Sequence, residues 1–383
     1  MSRIVYIDYL RNFANITRCL VHASVPYMVT AAPIWPVDDK GIWFLDFAVF
    51  ESHLFVMELF FMISGFMFAL ELRKHTIRSI IQNRFKRIVI PFVLGLILII
   101  PIVLSLFSLS NHTGFTFLDM DILKQSYING WNKGFDNFFP TAHLWFLYYL
   151  IIFYIITLFL KKIIFKIQVN SIFKLVFIGI LISVISMFFM KRWVVDNPLT
   201  LVPEIPALVH YYLFFILGIL VNKTPLLTND IKQKSKYLLR GGLLFGLTAI
   251  VPQLWFENTD LEYFLLIKLA AILLSCFAIY FLVFGLWGYF MRLKLKDSKV
   301  LRYVTDSSYW VYISNMPIVV IIQIILIPCD IPVFLKFMIS FFGAFTISMF
   351  FYEYFVRYTF IGKFLNGKKY PKKIKKKPVA SNV

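Results

Sequence analysis

The chain has 383 residues, 60% of them hydrophobic and only 15% charged, and a net charge of +19. Its mean hydropathy is +0.77. An ordinary soluble domain carries roughly 25% charged residues, so this composition excludes a soluble globular enzyme and a disordered chain. Phe (44) and Tyr (20) are abundant, as lipid-facing helices with interfacial aromatics require.

Ten apolar segments follow along the chain, at about 11–31, 47–71, 88–109, 143–160, 172–190, 204–222, 240–256, 263–290, 308–328 and 333–356. Each is near or above the ~20 residues that a spanning helix needs. The predicted fold class is therefore an all-α polytopic transmembrane bundle of about ten helices. Residues 1–360 are read as one membrane domain and 361–383 as a basic tail.

The first segment is the most informative. Arg11 and His22 lie eleven positions apart, close to three helical turns, and Asp8, Asn15 and Arg18 fall on the same stripe. A charge near mid-bilayer costs ~2.5–3.5 kcal/mol on insertion scales, so such residues face a protein interior and mark functional paths. At ~1.5 Å per residue His22 lies ~16 Å deeper than Arg11, which predicts a position near the membrane midplane. A cation at the rim and an imidazole deeper in suit an anionic ligand that enters from one side and reacts inside. The plainer reading is that Arg18 and His22 join helices through satisfied hydrogen bonds. A third is a transporter for an anionic solute, with Arg11, Arg18 and His22 as binding and proton-relay site. Arg18 interrupts the apolar run, so this helix is expected to be retained and not cleaved as a signal peptide.

Lys and Arg orient the bundle. With the N-terminus in the cytoplasm, about 31 of the 39 Lys+Arg fall on the cytoplasmic side, including the stretch Arg73–Arg87 and the tail from Arg357. The opposite side holds Lys40, Lys124, Lys133, Lys191 and Arg192, while Arg18, Lys268 and Lys336 stay within helices. Both termini are thus expected inside. The run Lys368–Lys377 is read as an anchor on anionic membrane lipid, not as a nucleic-acid site. Cys19, Cys276 and Cys329 form no CxxC pair, and no His/Cys/Asp cluster has metal-ligand spacing.

Two loops on the outer side carry residues suited to a sugar. One, Ser110–Ala142, holds Asn111, His112, Asp119, Asp121, Asn129, Trp131, Asn132, Asp136 and Asn137. The other, Ala32–Asp46, holds Trp35, Asp38, Asp39 and Trp43. Carboxylates and amides bond to hydroxyls, and indoles offer flat faces. Ordinary wet loops with interfacial aromatics have the same composition.

Further segments recur in a recognisable order: Phe60-Phe61-Met62-Ile63-Ser64-Gly65-Phe66, then Arg84-Phe85-Lys86-Arg87-Ile88-Val89-Ile90-Pro91-Phe92, then His143-Leu144-Trp145-Phe146-Leu147, then Ser308-Tyr309-Trp310-Val311-Tyr312 ahead of Met316-Pro317. With the Arg-x10-His pair, these resemble the acyltransferase 3 family of bacterial integral-membrane acyltransferases, from about Tyr6 to Phe355. The first three segments look most like its branch containing the C protein of periplasmic-glucan biosynthesis, a succinyl transferase. Many relatives carry His where this chain has Asn315.

The resemblance implies a multi-pass protein of the bacterial cytoplasmic membrane. It implies that a short acyl group, acetyl or succinyl, moves from cytoplasmic acyl-CoA to a hydroxyl of an extracytoplasmic glycan or glycolipid. Acyl-CoA is then a co-substrate, with no permanently bound cofactor, and a homo-oligomer is compatible with this reading. His22 becomes the catalytic candidate, as general base or as acyl relay. Arg11, Arg18, Arg84 and Arg87 become donor-binding candidates through charge-assisted bonds. Ser64 is a nucleophile only on paper, since Ser-Gly in a packed helix is more often a close-contact site.

Overall fold

The computed structural model describes residues 4–30, 35–109, 119–136, 140–191, 195–256, 263–367 and 370–371. Those residues form helices and turns and no strand. Fourteen α-helices run in chain order. They are α1 Val5–Ser24, α2 Trp43–His53, α3 Val56–Lys74, α4 Ile77–Arg84, α5 Ile90–Ser108, α6 Met120–Asp136 and α7 Trp145–Ile164. Then come α8 Ile172–Phe188, α9 Ile205–Lys223, α10 Pro225–Phe256, α11 Phe264–Arg292, α12 Lys299–Leu326, α13 Val333–Phe351 and α14 Phe360–Asn366.

All ten apolar segments fall on helices. Among the described residues seven stretches are both long and apolar enough to cross a membrane, which makes the chain a polytopic helical bundle. Helix α8 is apolar but shorter. Three boundaries differ from the hydropathy reading. Helix α1 spans 5–24 and not 11–31, because Pro26 enters a 3-10 turn at Val25–Tyr27 and cannot continue the backbone ladder. The second segment breaks at Leu54–Phe55 into α2 and α3. The first outer-loop candidate contains a helix, α6, packed along α5. Asn111, His112 and Asn137, with Ala32, Arg192 and most of Lys368–Lys377, lie outside the described residues.

Local chemistry sets several ends. Thr76 caps α4 by accepting from the Ser79 amide, and Ser298 caps α12 by accepting from the Leu301 amide at 3.0 Å. Single π-turns at Phe85–Val89 and Tyr352–Val356 lie at the start of the third and the end of the last apolar segment, the kind of defect that recurs at functional sites.

The centre of the bundle is aromatic. Phe61 meets Trp145, Phe146, Phe153 and Tyr211 at ring-centroid distances from 4.8 to 5.9 Å. Here α3 and α9 approach closely because Gly65 and Gly218 face each other's backbone. A Cβ on Gly65 would sit 1.9 Å from the Phe215 carbonyl oxygen, and one on Gly218 2.0 Å from that of Met62. Close helix packing through small residues replaces the hydrophobic drive that lipid does not supply. Gly65→Ala is therefore expected to destabilise the bundle by about 1–3 kcal/mol, read as a lower thermal midpoint in detergent. An unchanged midpoint would show that the α3–α9 contact yields.

Candidate active site

The polar stripe of α1 turns inward, and five other helices close around it. A cavity of about 290 Å³ lies between α1, α3, α4, α7, α12, α14 and the π-turn at Phe85–Val89, close to the ~300 Å³ lower bound of ligand pockets. Arg11, Arg18, Arg84 and Arg87 all line it. Three of them sit toward the end of the bundle that carries the Arg73–Arg87 stretch. Arg11 donates to the Thr305 carbonyl at 3.2 Å and lies 3.7 Å from Asp8. Arg84 pairs with Glu71 at 2.6 Å and stacks over Tyr154. Arg87 donates to the Leu365 carbonyl at 3.2 Å, and its own carbonyl accepts from Tyr309. Leu365 and Asp306 line the same cavity, and Tyr370 bonds to Asp306, so the chain after α13 folds across this end.

Arg18 differs from the other three. It is buried, at 6% exposure, and no carboxylate among the described residues pairs with it. One nitrogen donates to Asn15 at 3.2 Å, and the guanidinium lies 4.8 Å from the Tyr312 ring centre. Its Nε and Nη1 have no acceptor. The Asn15 bond contributes about 1.5–3 kcal/mol and the ring face about 2 kcal/mol. Against these stand several kcal/mol for taking the charge out of water, and two donors remain unmet. An anion or a polarised carbonyl in the cavity would satisfy both.

His22 lies one turn beyond Arg18, outside the lining of the cavity and in the last turn of α1. Helix α1 ends at Ser24, two residues further on. Gln323 holds this turn by donating to the His22 carbonyl at 2.9 Å. Asn315 lies against the imidazole, yet no hydrogen bond of ordinary geometry joins them: His22 Nδ1 and both amide atoms of Asn315 are buried without partners. His143 completes the cluster. Its Nε2 faces the Ile313 carbonyl at 3.1 Å, while the Tyr312 hydroxyl donates to the His143 carbonyl at 2.5 Å. Ala142, just before it, has φ +41°, a left-handed conformation costing a β-carbon residue about 1–2 kcal/mol. Unmet buried polar atoms and backbone strain both concentrate where ligands act.

Sequence reasoning named Tyr312, His143 and Asn315 without giving them this place. Their signal was available in part, since Ser308, Tyr312 and Asn315 follow the i, i+4, i+7 spacing of one helix face. Other intramembrane candidates fall away from the cavity. Glu58 and His210 pair with each other at 3.2 Å, fully buried between α3 and α9. Lys268 donates to the Phe188 carbonyl. Ser64 does line the cavity, but its hydroxyl bonds back to the Phe60 carbonyl at 2.8 Å.

At the opposite end a second cavity, of about 370 Å³, is lined by Ser108, Asp121, Ile122, Gln125, Ser126 and Asn129. The shorter outer loop keeps less free polarity than its sequence offers. Asp38 is buried against Lys336, and Asp46 accepts from the amides of Val29 and Thr30. Trp35 packs on the His22 ring at 5.9 Å.

A family model described as an acyltransferase domain matches residues 4–353, nearly the whole chain. The chain belongs to the acyltransferase 3 family. It is a multi-pass membrane acyltransferase. No curated protein and no solved structure matches it significantly. The match runs through α1, the cavity walls and α12, so every arginine around the cavity and His22 lie within the acyltransferase domain.

Proposed function

We propose that this acyltransferase moves a short acyl group, acetyl or succinyl, from acyl-CoA to a hydroxyl of an extracytoplasmic glycan or glycolipid. The observation that carries the reading is the clustering of Arg11, Arg84, Arg87 and Arg18 around one cavity that ends one turn from His22. The phosphates of CoA meet Arg11, Arg84 and Arg87 at the mouth, and Arg18 takes the thioester carbonyl or a carboxylate on the acyl group. The ~16 Å rise from Arg11 to His22 is bridged by the flexible arm of the donor. His22 removes the proton of the acceptor hydroxyl as that oxygen attacks the thioester carbon. The C–S bond breaks, an ester forms, and the thiolate leaves with the proton as free CoA. The alternative order, with the acyl group first on the imidazole, uses the same residues. Resemblance to the glucan branch and the polar cavity beside α6 support a saccharide acceptor.

The deciding experiment is release of free thiol by the purified protein supplied with acetyl-CoA or succinyl-CoA and a membrane glycan extract. Stoichiometric thiol release with acyl ester on the glycan is expected. Binding without any thiol release would favour the transport reading of the same stripe.

The donor side rests on orientation, and the Lys/Arg asymmetry supports cytoplasmic termini. Cysteine placed at Asn132, exposed on α6, is expected to react with an impermeant thiol reagent in intact cells. Cysteine at Lys376 is expected to stay protected until the membrane is opened. The reverse pattern would move the donor to the other side.

A further inference from the structure

The described residues between α1 and α2, 25–30 and 35–42, are held by several contacts. The Asp38 amide donates to the Pro26 carbonyl at 3.0 Å and the Ile42 amide to that of Tyr27 at 2.9 Å. Gly41 approaches so closely that a Cβ there would lie 2.6 Å from the Met28 carbonyl oxygen. Tyr27, fully buried, bonds to Ser340 on α13 at 3.0 Å. The strongest tie is Asp38 to Lys336 of α13 at 2.6 Å, with side-chain exposures of only 4% and 6%. Lys336 also donates to the Ile327 carbonyl at 2.7 Å. A buried ion pair contributes little net stability over apolar residues of the same shape, and its best-attested use is to fix one arrangement.

What this arrangement fixes is Trp35, three residues before Asp38. Its indole packs between the His22 ring at 5.9 Å and the Phe107 ring of α5 at 5.3 Å. The indole thus lies against the His22 ring and does not line the arginine cavity. Phe107 directly precedes Ser108, which lines the second, polar cavity. An acyl thioester near an activated oxygen has two fates. A hydroxyl yields the ester and free thiol. Water yields the carboxylic acid and the same thiol, its oxygen forming the new C–O bond, the C–S bond breaking and a proton passing to the thiolate.

We propose that Trp35 is a specificity-determining residue that closes the His22 end of the site to water and so directs the acyl group to a bound hydroxyl, and that the Asp38–Lys336 pair is the positioning latch that holds it. This inference rests on the reading of His22 as the site of acyl transfer. Exclusion of water from a reactive intermediate is a general service of closed sites.

The test uses full-length protein in lipid nanodiscs, with acetyl-CoA or succinyl-CoA as the probe and no acceptor. Trp35→Ala is expected to raise acceptor-independent thiol release at least about tenfold over wild type while the Kd for the acyl-CoA stays the same, and Trp35→Phe to retain most of the seal. Lys336→Met, which breaks the latch without touching the indole, is expected to raise hydrolysis as well, and Lys336→Arg to restore the wild-type rate. In Trp35→Ala/His22→Gln the added hydrolysis is expected to vanish. Trp35→Ala that binds acyl-CoA normally but hydrolyses at the wild-type rate overturns the seal, as does extra hydrolysis that survives loss of His22. Wild-type protein that binds neither acyl-CoA overturns the acyl-transfer reading, and this inference falls with it.

Discussion

Replacing His22 with glutamine is expected to abolish acyl transfer while the protein still inserts and binds acyl-CoA. Loss of a general base typically costs 10²–10⁴-fold, and loss of a covalent relay costs more. Glutamine keeps a hydrogen-bonding side chain of similar reach but takes no proton, so it separates chemistry from structure. The structural alternative has a definite form here. Gln323 bonds to the His22 carbonyl and not to its ring. That bond survives replacement of the imidazole, so the loss should be felt mainly in turnover. Transfer at the wild-type rate in well-expressed His22→Gln would end the catalytic assignment.

Arg18→Met is expected to lower transfer by 10²–10³-fold, the range seen when one preorganised donor to a developing oxyanion is removed. Its effect on stability should run the other way. Arg18 is buried with two donors unmet and no carboxylate partner among the described residues. Methionine fills similar space without a charge to desolvate, so the thermal midpoint should hold or rise. Activity lost while stability is kept is the mark of a group retained for function at a structural cost. A residue that merely joined helices would show both falling together. The comparison with Arg84 sharpens the test. Arg84 has Glu71 at 2.6 Å, so Arg84→Met strands a carboxylate and should destabilise the bundle.

Asn315 carries a smaller lesson about substitution within a family. This α12 residue lies against His22, at the position where the family resemblance implies a histidine. An amide there supplies donor and acceptor without a proton that titrates, so it can orient the imidazole but cannot replace it.

The sequence by itself determined the class of molecule and the axis of the site. Hydropathy over ~20-residue windows reports what lipid demands of a spanning helix, and each of the ten apolar segments lies on a helix. Helical periodicity likewise set Arg11, Asn15 and Arg18 on one stripe, and all three line one cavity. It could not say which helices would stand opposite them, because periodicity describes one helix at a time. Arg11 meets Thr305, Arg87 meets Leu365 and Asp38 meets Lys336, contacts between residues nearly 300 positions apart that only packing decides. Only the tertiary structure left Arg18 without a carboxylate partner among the described residues, paired Glu58 with His210 outside the cavity lining, and laid Trp35 on His22. The physical reason is common to all three. Burial, partner and access are properties of the space between helices, and that space exists only once the bundle has closed.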